Sequence, residues 1–411
     1  MFSSFRSRAD LLALFRSRDY RLYCVQTLAA ALVERSQVVA IGWDLYERTG
    51  SALALGWVGL AQFVPVILLF LPAGHLADRF DRRRVMLAGF AVWFAAAATL
   101  AAAALSGAPA GWIYVAALGL GTAQVITRPS RDALLAQILE RDYLARAVTW
   151  NASLHQVASI AAPVAAGALI AATHGAAAVY VAALVLIGVG AIASVAIRRR
   201  AIERSGRPRS PRELLAGLEH VWRTKTILGV ITLDLFAVLF GGATALLPIF
   251  AKDILHVGPT ALGWLTASPA IGALMMAVVH GILPAYRRAG LVFVWSVAGF
   301  GLAIIVFGLS TWLWLSLAAL VVAGALDNVS VVIRGTIVQL HTPDELRGRV
   351  SAVNRVFISS SNELGAFESG LVAALIGPVA TVVLGGAATI AFVLGALRLF
   401  PGLRALGRLG R

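Results

Sequence analysis

Long apolar runs separated by short polar connections dominate the pattern of this 411-residue chain. Twelve runs reach the roughly 20 residues needed to cross a hydrocarbon layer about 30 Å thick. They fall near 20–46, 53–78, 84–105, 112–132, 147–173, 176–197, 227–250, 260–284, 290–310, 312–335, 349–376 and 378–400. Hydrocarbon offers no partner for backbone N–H and C=O groups, so each run must satisfy them internally as a helix. The alternating apolar and polar positions of a membrane barrel are absent. The pattern predicts an all-α integral membrane protein with twelve transmembrane helices.

Composition strengthens that expectation. The chain is 59% hydrophobic and 13% charged, against roughly a quarter charged in ordinary soluble domains, and its mean hydropathy is +0.84. The net charge of +15 would suit nucleic acid if it formed one patch, but its placement follows the spans. Arg48 and Lys252 stand in odd-numbered connections, and Arg35 stands inside the first span. Nearly all other basic residues occupy the amino terminus, the even-numbered connections and their flanks, or the carboxyl tail. That asymmetry predicts cytosolic termini and contact with anionic lipid head groups rather than nucleic-acid binding. The polar, basic start lacks a cleavable leader pattern, so the first span is expected to act as the insertion signal. Cys24 is the single cysteine, which excludes a disulfide framework and a cysteine metal site. No Gly-rich phosphate loop, nucleophile–base pair or metal-ligand spacing stands out. No enzyme activity, catalytic residue, metal or cofactor is therefore expected. Arginine outnumbers lysine 33 to 2, as in proteins from GC-rich bacterial genomes.

The polar, Arg-rich stretch 198–225 separates six spans from six. This predicts an N-terminal bundle over 1–197, a cytosolic basic linker over 198–225, and a C-terminal bundle with a short tail over 226–411. The halves share a repeat. Ala54-Leu55-Gly56-Trp57 recurs 207 residues later as Ala261-Leu262-Gly263-Trp264, and Gly74 meets Gly281. At an offset of 203, Gly121, Arg131, Arg146, Asn151 and Gly167 meet Gly324, Arg334, Arg349, Asn354 and Gly370. Six spans separate equivalent positions, so the repeat is parallel.

Between the second and third spans, GHLADRFDRRRVML (Gly74–Leu87) packs a lone carboxylate and four arginines into a tight connection. Gly74, Asp78, Arg79, Arg82, Arg83 and Arg84 fall on the Gly-x-x-x-Asp-Arg-x-Gly-Arg-(Arg/Lys)-(Arg/Lys) pattern of the major facilitator superfamily, with Asp81 replacing the second glycine. The chain closely resembles that superfamily over essentially its whole length. The resemblance implies two pseudo-symmetric six-helix bundles, with substrate held near the membrane midplane. It also implies that Asp78, with Gly74, Arg79, Arg82 and Arg83 around it, lies against the start of the eleventh span, beside Arg347 and Arg349, as a cytosolic gate. Arg131 and Arg334, at equivalent ends of the fourth and tenth spans, are assigned to the same gate or to snorkelling. The second half keeps Gly281, Arg287 and Arg288 but has Ala285 at the position of Asp78.

Ionisable groups at membrane depth are costly and usually face a cavity or one another. Glu34 and Arg35 lie near the middle of the first span, Asp234 in the seventh, Asp327 in the tenth, and Glu363 and Glu368 in the eleventh. These are the candidates for substrate binding or proton coupling, with structural ion pairs as the alternative. Adjacent residues point about 100° apart on a helix, so Glu34 and Arg35 are not expected to pair only with each other. His155 and His280 are expected to be satisfied core residues.

In the fifth span, Ala158 to Gly167 resembles the superfamily's antiporter signature. Pro163 and Gly167 are retained, and alanines replace the signature's first three glycines. From Asp327 to Gly370 the chain resembles the enterobactin exporter branch, through Pro343, Asp344, Arg347, Gly348, Arg349, Asn354, Asn362, Glu363, Phe367 and Glu368. The resemblances imply a monomeric, proton-coupled exporter in a bacterial inner membrane, moving a small amphipathic compound such as a catecholate siderophore. The alternatives are a broad-specificity multidrug antiporter, a nutrient importer and a non-transporting scaffold.

Overall fold

A computed structural model describes residues 14–198, 211–241, 243–282, 286 and 288–399, without the side chains of 70–79, 141, 211–216, 243, 355 and 399. Gly74, Asp78, Arg79, Ala285 and Arg287 lie outside the described side chains. No strand occurs among the described residues. The helices are α1 (Arg18–Thr49), α2 (Ala52–Arg79), α3 (Arg82–Ser106), α4 (Gly111–Ile138), α5 (Arg141–Thr173) and α6 (Ala177–Ala196). They continue as α7 (Pro211–Arg223), α8 (Lys225–Phe240), α9 (Pro259–Ile282), α10 (Ala289–Leu309), α11 (Leu313–Leu340), α12 (Arg347–Ile376) and α13 (Pro378–Leu399).

Ten segments among the described residues are long and apolar enough to span a membrane. The other two expected spans are α4 and α12. At 28 and 30 residues both are long enough to cross, but each carries several ionisable side chains that lower its hydropathy. Two departures from the expected spans have local causes. The end of the linker is not a loop: α7 presents Val221 to the core and Trp222 to the outside. The seventh span is regular only to Phe240 and continues through short 3-10, α and π turns over Ala243–Ile254. Pro248 in this stretch has no N–H to extend a regular ladder.

By contact the described residues form two compact units. The first holds α1, α2 from Ala61, α3 to α6, and the first turn of α9 through Gly263. The second holds Ser51–Leu60, α7, α8, the irregular turns, α9 from Trp264, and α10 to α13. Both follow one packing plan. In the first, α3 packs on α4 and α6, and α1 packs on α5 and α6; in the second, α10 packs on α11 and α13, and α8 packs on α12 and α13. These are the helices that the sequence repeat pairs.

The shared glycines mark where backbones meet. A β-carbon on Gly56 would come within 3.2 Å of Gly370 Cα in the second unit, and one on Gly167 within 3.1 Å of Gly263 Cα in the first. Gly56 and Gly263 are repeat mates, as are Gly167 and Gly370. The repeat therefore preserves the same two close approaches, at which no larger side chain fits without movement.

The helix faces are sorted for a lipid surround. On α6, Tyr180, Ala183, Ile187, Gly190 and Ser194 are buried, whereas Val181, Val185 and Ile192 point outward. Trp112 at the start of α4 and Trp312 and Trp314 at the start of α11 are exposed, as expected of an aromatic belt at a membrane interface. Asp81 shows why the second glycine of the loop pattern can be lost. Its backbone φ is −55°, and its Oδ1 accepts a hydrogen bond from Arg83 N at 2.9 Å as the N-cap of α3.

Candidate functional site

The first unit places one cluster of charge across α1, α4 and α5. Glu34 Oε1 accepts a hydrogen bond from Arg128 Nη2 at 2.6 Å, with side-chain exposures of 22% and 47%. Arg35, Arg131 and His155 lie close enough to act on the same carboxylate electrostatically. Arg131 and Asp132 also act on Tyr23, which accepts a 3.4 Å hydrogen bond from Asn151 Nδ2. A glutamate and an arginine at this depth are costly in hydrocarbon, so their partial exposure marks a polar face rather than a lipid face.

The second unit holds a different cluster. Asp234 Oδ2 on α8 accepts from Arg334 Nη1 on α11, and each side chain is only 6% exposed. Asp327, two turns before Arg334 on the same helix, acts electrostatically on both partners. Two carboxyl groups thus stand by one guanidinium, one acid more than the cation can match. Arg334 turns inward onto Asp234 instead of outward to solvent.

The structure brings Glu34, Arg35 and Arg131 into one cluster and Asp234, Asp327 and Arg334 into another. Glu363 and Glu368 stand on α12, where Glu368 lies beside Ser369. Pro163 and Gly167 on α5 face the first turn of α9. The arginines assigned to the gate have separate surroundings. Arg82 Nη1 donates to Ala133 O within α4 at 3.1 Å, and Arg83 Nη1 donates to Ile197 O at the C-cap of α6 at 3.4 Å. Arg347 pairs with Asp344 at 2.9 Å on the surface, and the backbone of Arg349 lies against Gly217 of α7. His280 Nε2 lies 2.7 Å from the Tyr286 hydroxyl.

Sequence reasoning missed Arg128. It has no repeat mate among the arginines, since the offset of 203 places it on Val331. Its depth within the fourth span was the available signal. A second missed network joins α1 to α3 and α6: Arg48 Nε donates to Asp44 Oδ1 at 2.7 Å, Arg48 Nη1 to Ala108 O at 2.8 Å, and Tyr180 OH to Asp44 Oδ2 at 3.2 Å. It ties the far end of α1 to its neighbours.

Paired bundles of spanning helices with charge held inside them define a multi-pass membrane transporter. The sequence profile of the transmembrane secretion effector family matches residues 9–406. The chain belongs to that family, a group of efflux-type transporters of the major facilitator superfamily. It is 27% identical to the multidrug efflux pump Tap of Mycobacterium tuberculosis, over 84% of each chain. It is 29% identical to the enterobactin exporter EntS of Escherichia coli O1:K1 over 42% of this chain and 43% of the relative. A bacterial homologue of the iron transporter ferroportin shares the fold with a TM-score of 0.74 at 16% identity, covering 96% of this chain and all of the other.

Proposed function

We propose that the protein is a proton-coupled secondary exporter that moves a small amphipathic compound out of the cytosol by alternating access. The observation that carries the proton-coupled part is the Asp234–Arg334–Asp327 cluster. A buried carboxylate without a matching cation costs several kcal/mol, and binding a proton removes that cost. The cluster can therefore alternate between holding a proton and releasing it as its access to water changes. The skew of basic residues supports an inner-membrane protein with cytosolic termini; in this reading it works as a monomer.

The test is export by proteoliposomes under an imposed pH gradient. Asp327→Asn should insert and fold but lose at least about ten-fold of the gradient-driven rate, while downhill exchange persists. An unchanged response to the gradient would remove the cluster from coupling. Two substrate readings have separate support. A catecholate siderophore follows from the exporter-like segment Asp327–Gly370 and the partial likeness to EntS. Broad multidrug efflux follows from the longer likeness to Tap. Export of a catecholate and of lipophilic cations from cells with and without the chain separates them.

A further inference from the structure

We infer that the Glu34–Arg128 cluster is an anion-recognition site, so that the exported compound is an amphipathic anion and Glu34 is its internal stand-in. The inference rests on the transport reading and adds the charge class of its substrate. Three features of the cluster point to it.

The first is charge. Arg128 contacts the carboxylate of Glu34, and Arg35, Arg131 and His155 lie within electrostatic range of it. Even with Asp132 near Tyr23, arginines outnumber carboxylates among these groups. Arginine does not lose its proton in a protein, so the excess is permanent and attracts an anion.

The second is geometry. The contact of Arg128 with Glu34 is single, Nη2 to Oε1. Arg128 makes no other hydrogen bond among the described residues, and its side chain is 47% exposed. A guanidinium fork matches carboxylate-like oxygens in pairs. One edge is thus open to an incoming carboxylate, sulfonate or catecholate.

The third is depth. Glu34, which Arg128 contacts, lies sixteen residues after the start of α1 and fifteen before its end, about 22–24 Å from either end at roughly 1.5 Å per residue. That is near the midpoint of the helix, away from the lipid head groups at either end of a hydrocarbon layer some 30 Å thick. A small diffusing anion can reach it more readily than a phospholipid phosphate.

The device has a transport logic. With substrate bound, its anion neutralises Arg128 for the outward step. In the empty carrier Glu34 takes the same guanidinium, so the return step exposes no naked charge. The proton travels on the other cluster.

The test uses the full chain in phosphatidylcholine nanodiscs at pH 7. Binding of 2,3-dihydroxybenzoylserine, an anion, is compared with binding of ethidium, a cation. Saturable anion binding should fall at least about ten-fold in Arg128→Gln, with partial recovery in Arg128→Lys. Glu34→Gln should tighten the anion at least about three-fold, because the internal competitor is gone; a purely structural ion pair would not do this. The inference is overturned if the wild type binds no anion saturably, or if Glu34→Gln weakens the anion or leaves it unchanged. Preferential ethidium binding that depends on Glu34 would also overturn it. So would loss of anion binding when the discs contain phosphatidylglycerol, which would assign the cluster to lipid. Dye export from cells is measured in parallel. Export without anion preference sinks this inference alone, whereas no export of any compound sinks the transport reading beneath it.

Discussion

The two units use the same helices for opposite electrostatic designs. In the first, an acid on α1 meets an arginine on α4 in an open, one-point contact. In the second, an acid on α8 meets an arginine on α11 in a contact that is almost completely buried. These are repeat-related helices, but the pairs are not repeat-related residues. Arg334 is the mate of Arg131, one turn beyond Arg128. With the starts of α1 and α8 aligned, Asp234 lies seven residues, about two turns, before the position of Glu34. Both shifts carry the second pair toward the end of its bundle at which the first helix begins. The first cluster has surplus arginine and the second has surplus carboxylate. One scaffold, used twice, thus carries an arginine-rich cluster in one unit and a carboxylate-rich cluster in the other.

Breaking the buried pair should have the largest effect. Arg334→Ala leaves Asp234 buried without its cation, a loss of about 3–5 kcal/mol for a buried pair. The melting temperature and membrane abundance should fall sharply, as size-exclusion chromatography after heating would show. Replacing both partners as Asp234→Leu with Arg334→Met should restore most of that stability while gradient-driven export stays absent. Recovery of both would mean that the pair only holds helices together.

The open pair should behave in the reverse way. Arg128→Ala should cost about 1 kcal/mol or less, as for exposed ion pairs, yet reduce export at least about ten-fold. A stability loss equal to that of Arg334→Ala would erase the contrast between the two units. The smallest expected effect is at the far end of α1. Tyr180→Phe removes one buried hydrogen bond to Asp44, worth about 0.5–1.5 kcal/mol, and should leave the export rate per folded molecule unchanged.

The loop around Asp78 shows how a sequence can identify a family while leaving individual roles open. The pattern Gly74–Leu87 led to the major facilitator superfamily, and the profile match over 9–406 agrees. Yet Arg82 and Arg83 bond to carbonyls of α4 and of the C-cap of α6 within their own unit, and Asp81 replaces a glycine at a position that needs no left-handed backbone. A linear pattern records which residue types recur and does not distinguish a latch from a cap.

By itself the sequence determined the membrane helices, their division into two repeats, and the set of costly charges inside them. Those properties follow from one-dimensional facts: run length against bilayer thickness, and the cost of charge in hydrocarbon. Only the tertiary structure decided which charges meet. Glu34 could have paired with any of several arginines, and its partner Arg128 stands 94 residues away without a repeat mate. Arg131 and Arg334 occupy equivalent positions, yet one lies in an open cationic cluster and the other in a buried pair. The physical reason is that rotation of a helix by one residue turns a side chain by about 100°, so partners are fixed by how helices pack and not by spacing along the chain.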